Sequence, residues 1–344
     1  MNQIDKISND PTAAERKQDH IQLAFQSQVD TNQIDKRFSY EPLLSAFPPK
    51  ELTEFTFLGK KIKTPIWVSS MTGGTEKAYQ INHNLAKACA HFKMGMGLGS
   101  CRSLLESNDR LHDFDFRKII GDDLPFYANI GIAQLEILIK QNKLFLIDDL
   151  IKKLDADGII IHINPLQEWL QPEGDKIEEM PILTIKKYLE KTKQKVLVKE
   201  VGQGMGKESL RALVQLPIQA IEFAAHGGTN FSKLELLRTT ESNQQIFNNI
   251  SQIGHSAEEM VSFINELTVE LSDKFVVQHY IVSGGIKNFL DGYYVTQKLN
   301  AHTTVYGQAS TLLKFAEKGY DELHQYIENQ IKGLQIAKAY FRVK

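Results

Sequence analysis

The segment His162-Ile-Asn-Pro-Leu-Gln-Glu168 carries four chemically capable side chains in seven positions. It follows a run of isoleucines that reads as a strand. Alternation along a strand puts His162 and Asn164 on one side, where both can donate to anionic oxygens. Glu168 adds a hard carboxylate, and one carboxylate plus a ligand's phosphates is a usual way to hold Mg2+. Alone, His162 and Glu168 read as a satisfied core histidine and a solvated helix-start carboxylate. Further strand ends of the same polar character turn the reading toward a ligand. They are Ser70-Met71-Thr72-Gly73-Gly74, Ser100 with Arg102, Asn129, Lys199-Glu200, Gly227-Gly228-Thr229, Ser283-Gly284-Gly285, and Gly307 through Ser310. Glycines and small polar residues closing the last three suit a phosphate site made of backbone N–H groups and a helix N-terminus, with Gly284-Gly285-Ile-Lys287 the best single candidate. Lys199 closes an apolar run and needs a partner, either Glu200 or an electron-rich ring. Arg16, Lys17 and His20 cluster near the N-terminus, Arg16 and His20 on one helix face, and by themselves read as a solvated face.

The elements that must position these groups recur along the chain. Apolar runs rich in Val, Ile and aromatics fall at 65–70, 93–100, 126–131, 158–164, 195–202, 220–228, 278–285 and 303–310. They lack strict alternation, as strands buried on both faces do. Segments 76–92, 207–216, 257–271 and 311–341 have helical spacing, and 133–151 less cleanly. Eight strand–helix alternations between positions 65 and 310 match the size of a (β/α)8 TIM barrel. An open doubly wound sheet wants a G-x-G-x-x-G turn after its first strand, where this chain has Met71-Thr-Gly-Gly-Thr75. The expected architecture is therefore an α/β barrel over 65–344, preceded by an N-terminal helical and hairpin extension over 1–64. Thr12-Ala-Ala-Glu15 predicts a capping box and a helix from Ala13, and 54–64 predicts a hairpin that plugs the barrel's bottom. A polar insertion at about 230–256 reads either as a cover over the active-site face or an interface, or as a flexible surface loop.

Composition sets the class. Of 344 residues, 42% are hydrophobic and 24% charged, a mixture that buries a sizeable core. A net charge of −2 gives no global attraction to nucleic acid or membrane. No apolar run approaches the roughly 18 residues of a membrane span. The N-terminus lacks the apolar stretch of a signal peptide, and Cys89 and Cys101 suit free thiols in a reducing compartment, so a cytoplasmic location is expected.

Taken together these residues resemble the type 2, flavin-dependent isopentenyl diphosphate isomerases. The resemblance runs from about Glu15 to Ser310 and is carried by RKQDH (16–20), SSMTGG (69–74), HINPLQE (162–168), PEGD (172–175) and KEVGQG (199–204), with GGT (227–229) and SGGIK (283–287) less specific. It implies an FMN-binding barrel that interconverts isopentenyl and dimethylallyl diphosphate with Mg2+ and with flavin kept reduced by NADPH, in a homo-oligomer (a tetramer or octamer). By position it implies flavin contacts from Ser70, Met71, Thr72, Ser100, Asn129, Lys199 and Thr229, and flavin-phosphate contacts from Gly284, Gly285, Ala309 and Ser310. Arg16, Lys17, His20, Ser100, Arg102, His162 and Asn164 would bind the substrate, Gln167 would face the reacting carbons as the catalytic side chain, and Glu168 would hold the metal. Reduced flavin can give and take a proton, which suits a substrate whose double bond must move without net redox change.

Three positions depart from the family pattern. Ala224-Ala225-His226 stands where Ser-Gly precedes GGT, Lys287 where arginine is usual, and Cys101 where glutamine is usual. His226-Gly-Gly opens a second reading, a flavin-dependent 2-hydroxy-acid oxidase or dehydrogenase, which would also want an arginine where Thr229 stands. A third reading is a non-catalytic phosphate- or flavin-binding barrel.

Overall fold

In the computed structural model, which describes residues 12–70, 73–299 and 302–344, eight parallel strands close into a barrel. They are β1 (Ile66–Val68), β2 (Gly95–Gly97), β3 (Phe126–Gly131), β4 (Ile159–His162), β5 (Val196–Lys199), β6 (Ala220–Glu222), β7 (His279–Ser283) and β8 (Thr303–Gln308). Each lies within one of the apolar runs, and they follow one another around the ring in chain order. The ring closes where Tyr306, Gly307 and Gln308 pair with Ile66, Trp67 and Val68. Every residue of β1, β2, β3, β5 and β6 is buried, which explains apolar runs without alternation.

The expected helices form at Glu76–Phe92, Lys207–Val214 and Ala257–Leu271. Thr75 caps the first by accepting from the Ala78 N–H, and Ser256 with Glu259 makes a capping box on the last. The 311–341 pattern is two helices, Ser310–Lys318 and Tyr320–Tyr340, and 133–151 also divides, into Ile132–Lys140 and Phe145–Leu154. The N-terminal helix spans Ala13–Leu23, but the Thr12 side chain does not cap it, and the helix buries none of its residues.

The hairpin forms from Phe55–Phe57 and Lys60–Ile62. Phe57 is wholly buried, its ring 6.1 Å from Trp67 and 5.3 Å from His279. His279 opens β7, so the hairpin sits under the N-terminal ends of the strands. Lys60 reaches Asp157, just before β4, and the carbonyls of Asp122 and Leu124, before β3. A pairing that the sequence does not announce joins Phe38–Tyr40 antiparallel to Phe341–Val343.

The insertion is helical rather than irregular. Phe231–Arg238 and Glu241–Phe247 are capped by the side chains of Asn230 and Thr240, and a 3-10 turn follows at Asn248–Gln252. The Phe247 ring meets Trp169 edge-on at 5.1 Å, so the insertion lies over the short helix Pro165–Leu170 that follows β4. Among the described residues no helix is long and apolar enough to cross a membrane.

Because Phe57 fills the barrel floor, Phe57→Ala should cost about 3–5 kcal/mol. Urea unfolding should show a lower midpoint at unchanged slope, whereas a wild-type midpoint would remove the hairpin from the core.

Candidate active site

Strand polarity brings every strand's C-terminal end to one rim, and the register aligns its polar groups. His162 pairs with Lys199, and Lys199 with Glu222, so the three occupy one level across β4, β5 and β6. A cavity of about 380 Å3 opens beside them, lined by Ser69, Ser70, Lys199, Glu222, Gly227, Gly228, Thr229, Gly284, Gly285, Lys287, Ala309 and Ser310, among others. The hydroxyls of Ser69 and Ser70 and one Glu222 oxygen are buried in it without a partner. Buried polar atoms of this kind are costly unless a ligand or water meets them.

The glycine cradle has a steric requirement. Gly284 has φ +94°, and a Cβ there would lie 2.0 Å from the Ala225 carbonyl. The backbones after β6 and β7 are thus pressed together, leaving N–H groups and the start of the Ser310–Lys318 helix facing one cavity wall. This geometry, with its unpartnered hydroxyls, fits a phosphorylated cofactor such as FMN. Ala224 holds the left-handed backbone at φ +44°, a conformation that costs a residue with a Cβ about 1–2 kcal/mol. Its N–H donates to the Ser283 hydroxyl at 2.9 Å, which in turn donates to Glu222 at 3.2 Å.

At the end of β4 three side chains interlock. The Asn164 amide donates to Gln167 Oε1 at 3.1 Å and to Glu168 Oε1 at 2.8 Å, while its own oxygen is buried and unpartnered. Glu168 Oε2 accepts the Asp175 N–H at 2.8 Å. That bond ties PEGD to HINPLQE, and the Asp175 carboxylate accepts from Arg102 at 2.5 Å and Gln134 at 2.8 Å. Among the described residues no group of three or more metal-ligating side chains converges. A cation here would rest on Glu168 and on the ligand's own oxygens, a donor set that suits Mg2+.

Gln167 has a partner that sequence reasoning missed. Its amide donates to Glu235 at 3.3 Å, from the insertion helix Phe231–Arg238. Glu235 is 2% exposed and is held by Arg238 at 2.6 Å, and Arg238 also meets Glu173 at 3.0 Å. Nothing local marks Glu235, because it stands in a polar stretch that reads as solvent-facing.

Other expected residues differ in placement. Lys199 is buried, and its ammonium donates to the Glu200 backbone carbonyl at 2.7 Å rather than to the Glu200 carboxylate. Asn129 donates to the Leu98 carbonyl at 2.9 Å, which turns its oxygen toward His162 Nδ1 at 2.8 Å. His162 therefore carries its proton on Nδ1 and leaves Nε2 bare. Burial and then the neighbouring Lys199 push its pKa down to about 3, so it stands neutral rather than as a cation. Ser100 and Arg102 line a separate cavity of about 680 Å3. Arg16, Lys17 and His20 do not line the barrel cavity and lie on the exposed helix. Met71 and Thr72 fall outside the described residues.

His226 faces away from a hydroxy-acid reading. Its Nε2 lies 3.2 Å from the Ser251 carbonyl and its N–H donates to the His255 carbonyl at 2.8 Å, so it fastens the insertion and is not poised as a base.

A closed barrel with a polar, glycine-rich carboxyl rim defines an α/β-barrel enzyme. Isopentenyl-diphosphate delta-isomerases of Rickettsia felis and Rickettsia typhi are each 32% identical over 327 residues, covering 94% of this chain and 91% and 92% of theirs. The Rickettsia peacockii enzyme of the same name is 33% identical over the same length. The chain belongs to the isopentenyl-diphosphate delta-isomerase family. No family model matches it. Among solved structures, a flavocytochrome b2 variant with sulfite bound aligns at TM-score 0.59 and 12% identity, over 88% of this chain and 72% of that one. A mandelate oxidase variant with an FMN adduct aligns at TM-score 0.53 and 11% identity, over 90% and 89%. At such identities the likeness is one of fold.

The depressed His162 pKa carries a pH signature. Above the unfolded value of 6.5 both states are neutral, and below it the unfolded chain takes a proton that the native site refuses until about pH 3. Stability should therefore fall as pH drops from 6.5, by at most about 1.4 kcal/mol per pH unit from this residue. His162→Gln should flatten that slope in urea titrations between pH 6 and 4, and an unchanged slope rules out a neutral buried imidazole.

Proposed function

We propose that this chain interconverts isopentenyl and dimethylallyl diphosphate, with reduced FMN in the glycine-lined cavity and Mg2+ at Glu168. The observation that carries this reading is the Gln167 amide, held by Glu235 from one side and Asn164 from the other, one strand away from Lys199. Gln167 lines an adjoining cavity of about 300 Å3 that shares Val201 with the glycine-lined one, and a fixed amide there is placed to orient an alkene that must gain and lose protons at defined carbons. Bound reduced flavin supplies a ring position that gives and takes a proton without net redox change, and NADPH maintains its reduced state.

The chain's own residues do the rest. Ser70, Lys199 and Thr229 line that cavity and hold the ring, and the family resemblance adds Met71, Thr72, Ser100 and Asn129 to them. The N–H groups of Gly284, Gly285, Ala309 and Ser310 hold its phosphate. Arg102, His162 and Asn164 face the diphosphate, and Glu168 holds it through the metal, which offsets its charge in a near-neutral chain. A diphosphate oxygen at His162 Nε2 requires the ring to take up a proton, because Nδ1 is engaged by Asn129. The Ala13–Leu23 helix brings Arg16, Lys17 and His20 when it covers the barrel mouth.

Exposed Ile21, Phe25, Leu43 and Phe47 support assembly into a homo-oligomer, a tetramer or octamer, that covers them. The buried free thiols Cys89 and Cys101 suit the cytoplasm.

The first test is FMN titration of the purified chain, followed by bleaching with NADPH. A chain that takes up no FMN removes the reading. In steady-state isomerisation, Gln167→Ala should lower kcat with a smaller change in KM, and Glu168→Gln should raise KM and weaken the Mg2+ dependence. A wild-type Mg2+ profile in Glu168→Gln makes the metal assignment wrong. Replacing Arg16 and Lys17 together with alanine should raise KM while sparing FMN affinity, each charge-assisted contact contributing about 1.5–3 kcal/mol. Unchanged kinetics return both to a solvated face.

A further inference from the structure

The KEVGQG segment contributes Lys199 to the cavity, but its glutamate has no part in the chemistry above. The Glu200 carboxylate is half-buried and turned into its own loop. Its Oε2 accepts the N–H groups of Gly202 at 2.6 Å, Gln203 at 2.6 Å and Gly204 at 2.9 Å. Three N–H groups in a row turned onto one oxygen force the chain into a tight curl. That curl needs Gly202 at φ +131° and Gly204 at φ +71°, where a Cβ would meet the Thr229 carbonyl at 2.3 Å and the Met260 sulfur at 2.7 Å. Within the same curl, Glu200 turns its own carbonyl to the Lys199 ammonium at 2.7 Å. The ammonium has no carboxylate within ion-pair distance among the described residues, so this carbonyl is the contact that sets its direction.

The outer side of the curl seats the insertion. The Phe231 N–H donates to the Val201 carbonyl at 3.3 Å, and the Asn230 amide donates to the Gly202 carbonyl at 3.4 Å. Gln203 donates to the carbonyls of Ile250 and Ile253 at 3.1 and 2.6 Å. The helix that starts at Phe231 is the one that delivers Glu235 to Gln167.

We propose that Glu200 is a positioning residue: by folding the 200–204 turn around one carboxylate oxygen, it aims the Lys199 ammonium into the cofactor cavity and seats the insertion. The proposal rests on the reading that Lys199 meets flavin. An ammonium at the ring's edge favours the anionic reduced flavin and so raises its midpoint potential. Glu200 should act on the flavin only through Lys199.

The experiment measures FMN affinity by fluorescence, and the midpoint potential of the bound flavin, for wild type, Glu200→Ala, Glu200→Gln, Lys199→Met and the double variant Glu200→Ala with Lys199→Met. Glu200→Ala should weaken FMN roughly tenfold and lower the potential in the direction that Lys199→Met does. Glu200→Gln keeps an acceptor for the three N–H groups and should fall between wild type and Glu200→Ala. The double variant should be no worse than Lys199→Met alone, because the two residues act in series. Independent, additive losses, or a wild-type potential in Glu200→Ala, overturn the proposal. If Glu200→Ala does not fold, the Glu200→Gln variant decides on the same two criteria, alone and combined with Lys199→Met. A wild-type chain that takes up no FMN removes the proposed function, and this inference with it. FMN uptake with an unshifted Glu200 variant removes this inference alone.

Discussion

Closure of a sheet whose strands all point one way, with β8 paired back to β1 and β6 to β7, is the constraint on which the molecule depends. It gathers residues from Ser69 to Ser310 onto a single rim. It also divides the barrel into ends of different chemistry. The floor is aromatic, built by Phe57, Trp67 and Tyr127 and sealed by the hairpin, with the Trp67 indole N–H and the Tyr127 hydroxyl as its buried polar atoms. The rim keeps polar atoms buried and unpartnered on Ser69, Ser70, Asn164 and Glu222. Each such atom costs about 1–3 kcal/mol unless something completes it. The floor supplies the burial that offsets this, and the rim keeps its hydrogen-bonding capacity for a ligand.

Charge follows the same division of labour. His162 and Lys199 are neighbours in register on a partly desolvated surface, where two cations side by side are unfavourable. Burial and the adjacent Lys199 ammonium both keep His162 neutral. The rim thus sets the Lys199 ammonium beside a neutral histidine, and Lys287 lines the same cavity.

The two segments that approach the rim from outside are built differently. The insertion buries Ser232, Glu235 and Leu236 and is fastened by His226, Gln203 and Arg238. The N-terminal helix buries nothing, and Ile21, Leu23 and Phe25 around its end are more than half exposed. One is a fixed wall of the site, and the other still has its apolar surface to cover.

The strands, most of the flanking helices, the floor hairpin and the polar β4 segment were legible in the residues themselves. Side-chain alternation, helical spacing, caps and small residues at strand ends are local properties that each stretch of chain expresses on its own. The family could be read for the same reason, since HINPLQE and PEGD are contiguous. Other features rest on contacts between distant residues. Glu235 meets Gln167 across 68 positions, Phe38–Tyr40 pairs with the last residues of the chain, and Asn129 sets the tautomer of His162 from the neighbouring strand. The exposure of Arg16, Lys17 and His20 is likewise a matter of what the helix packs against, not of its own periodicity. Local sequence sets which face of an element is apolar and which groups it carries. Which of those groups touch is decided only when the ring closes, because that step fixes the path of every connection between strands.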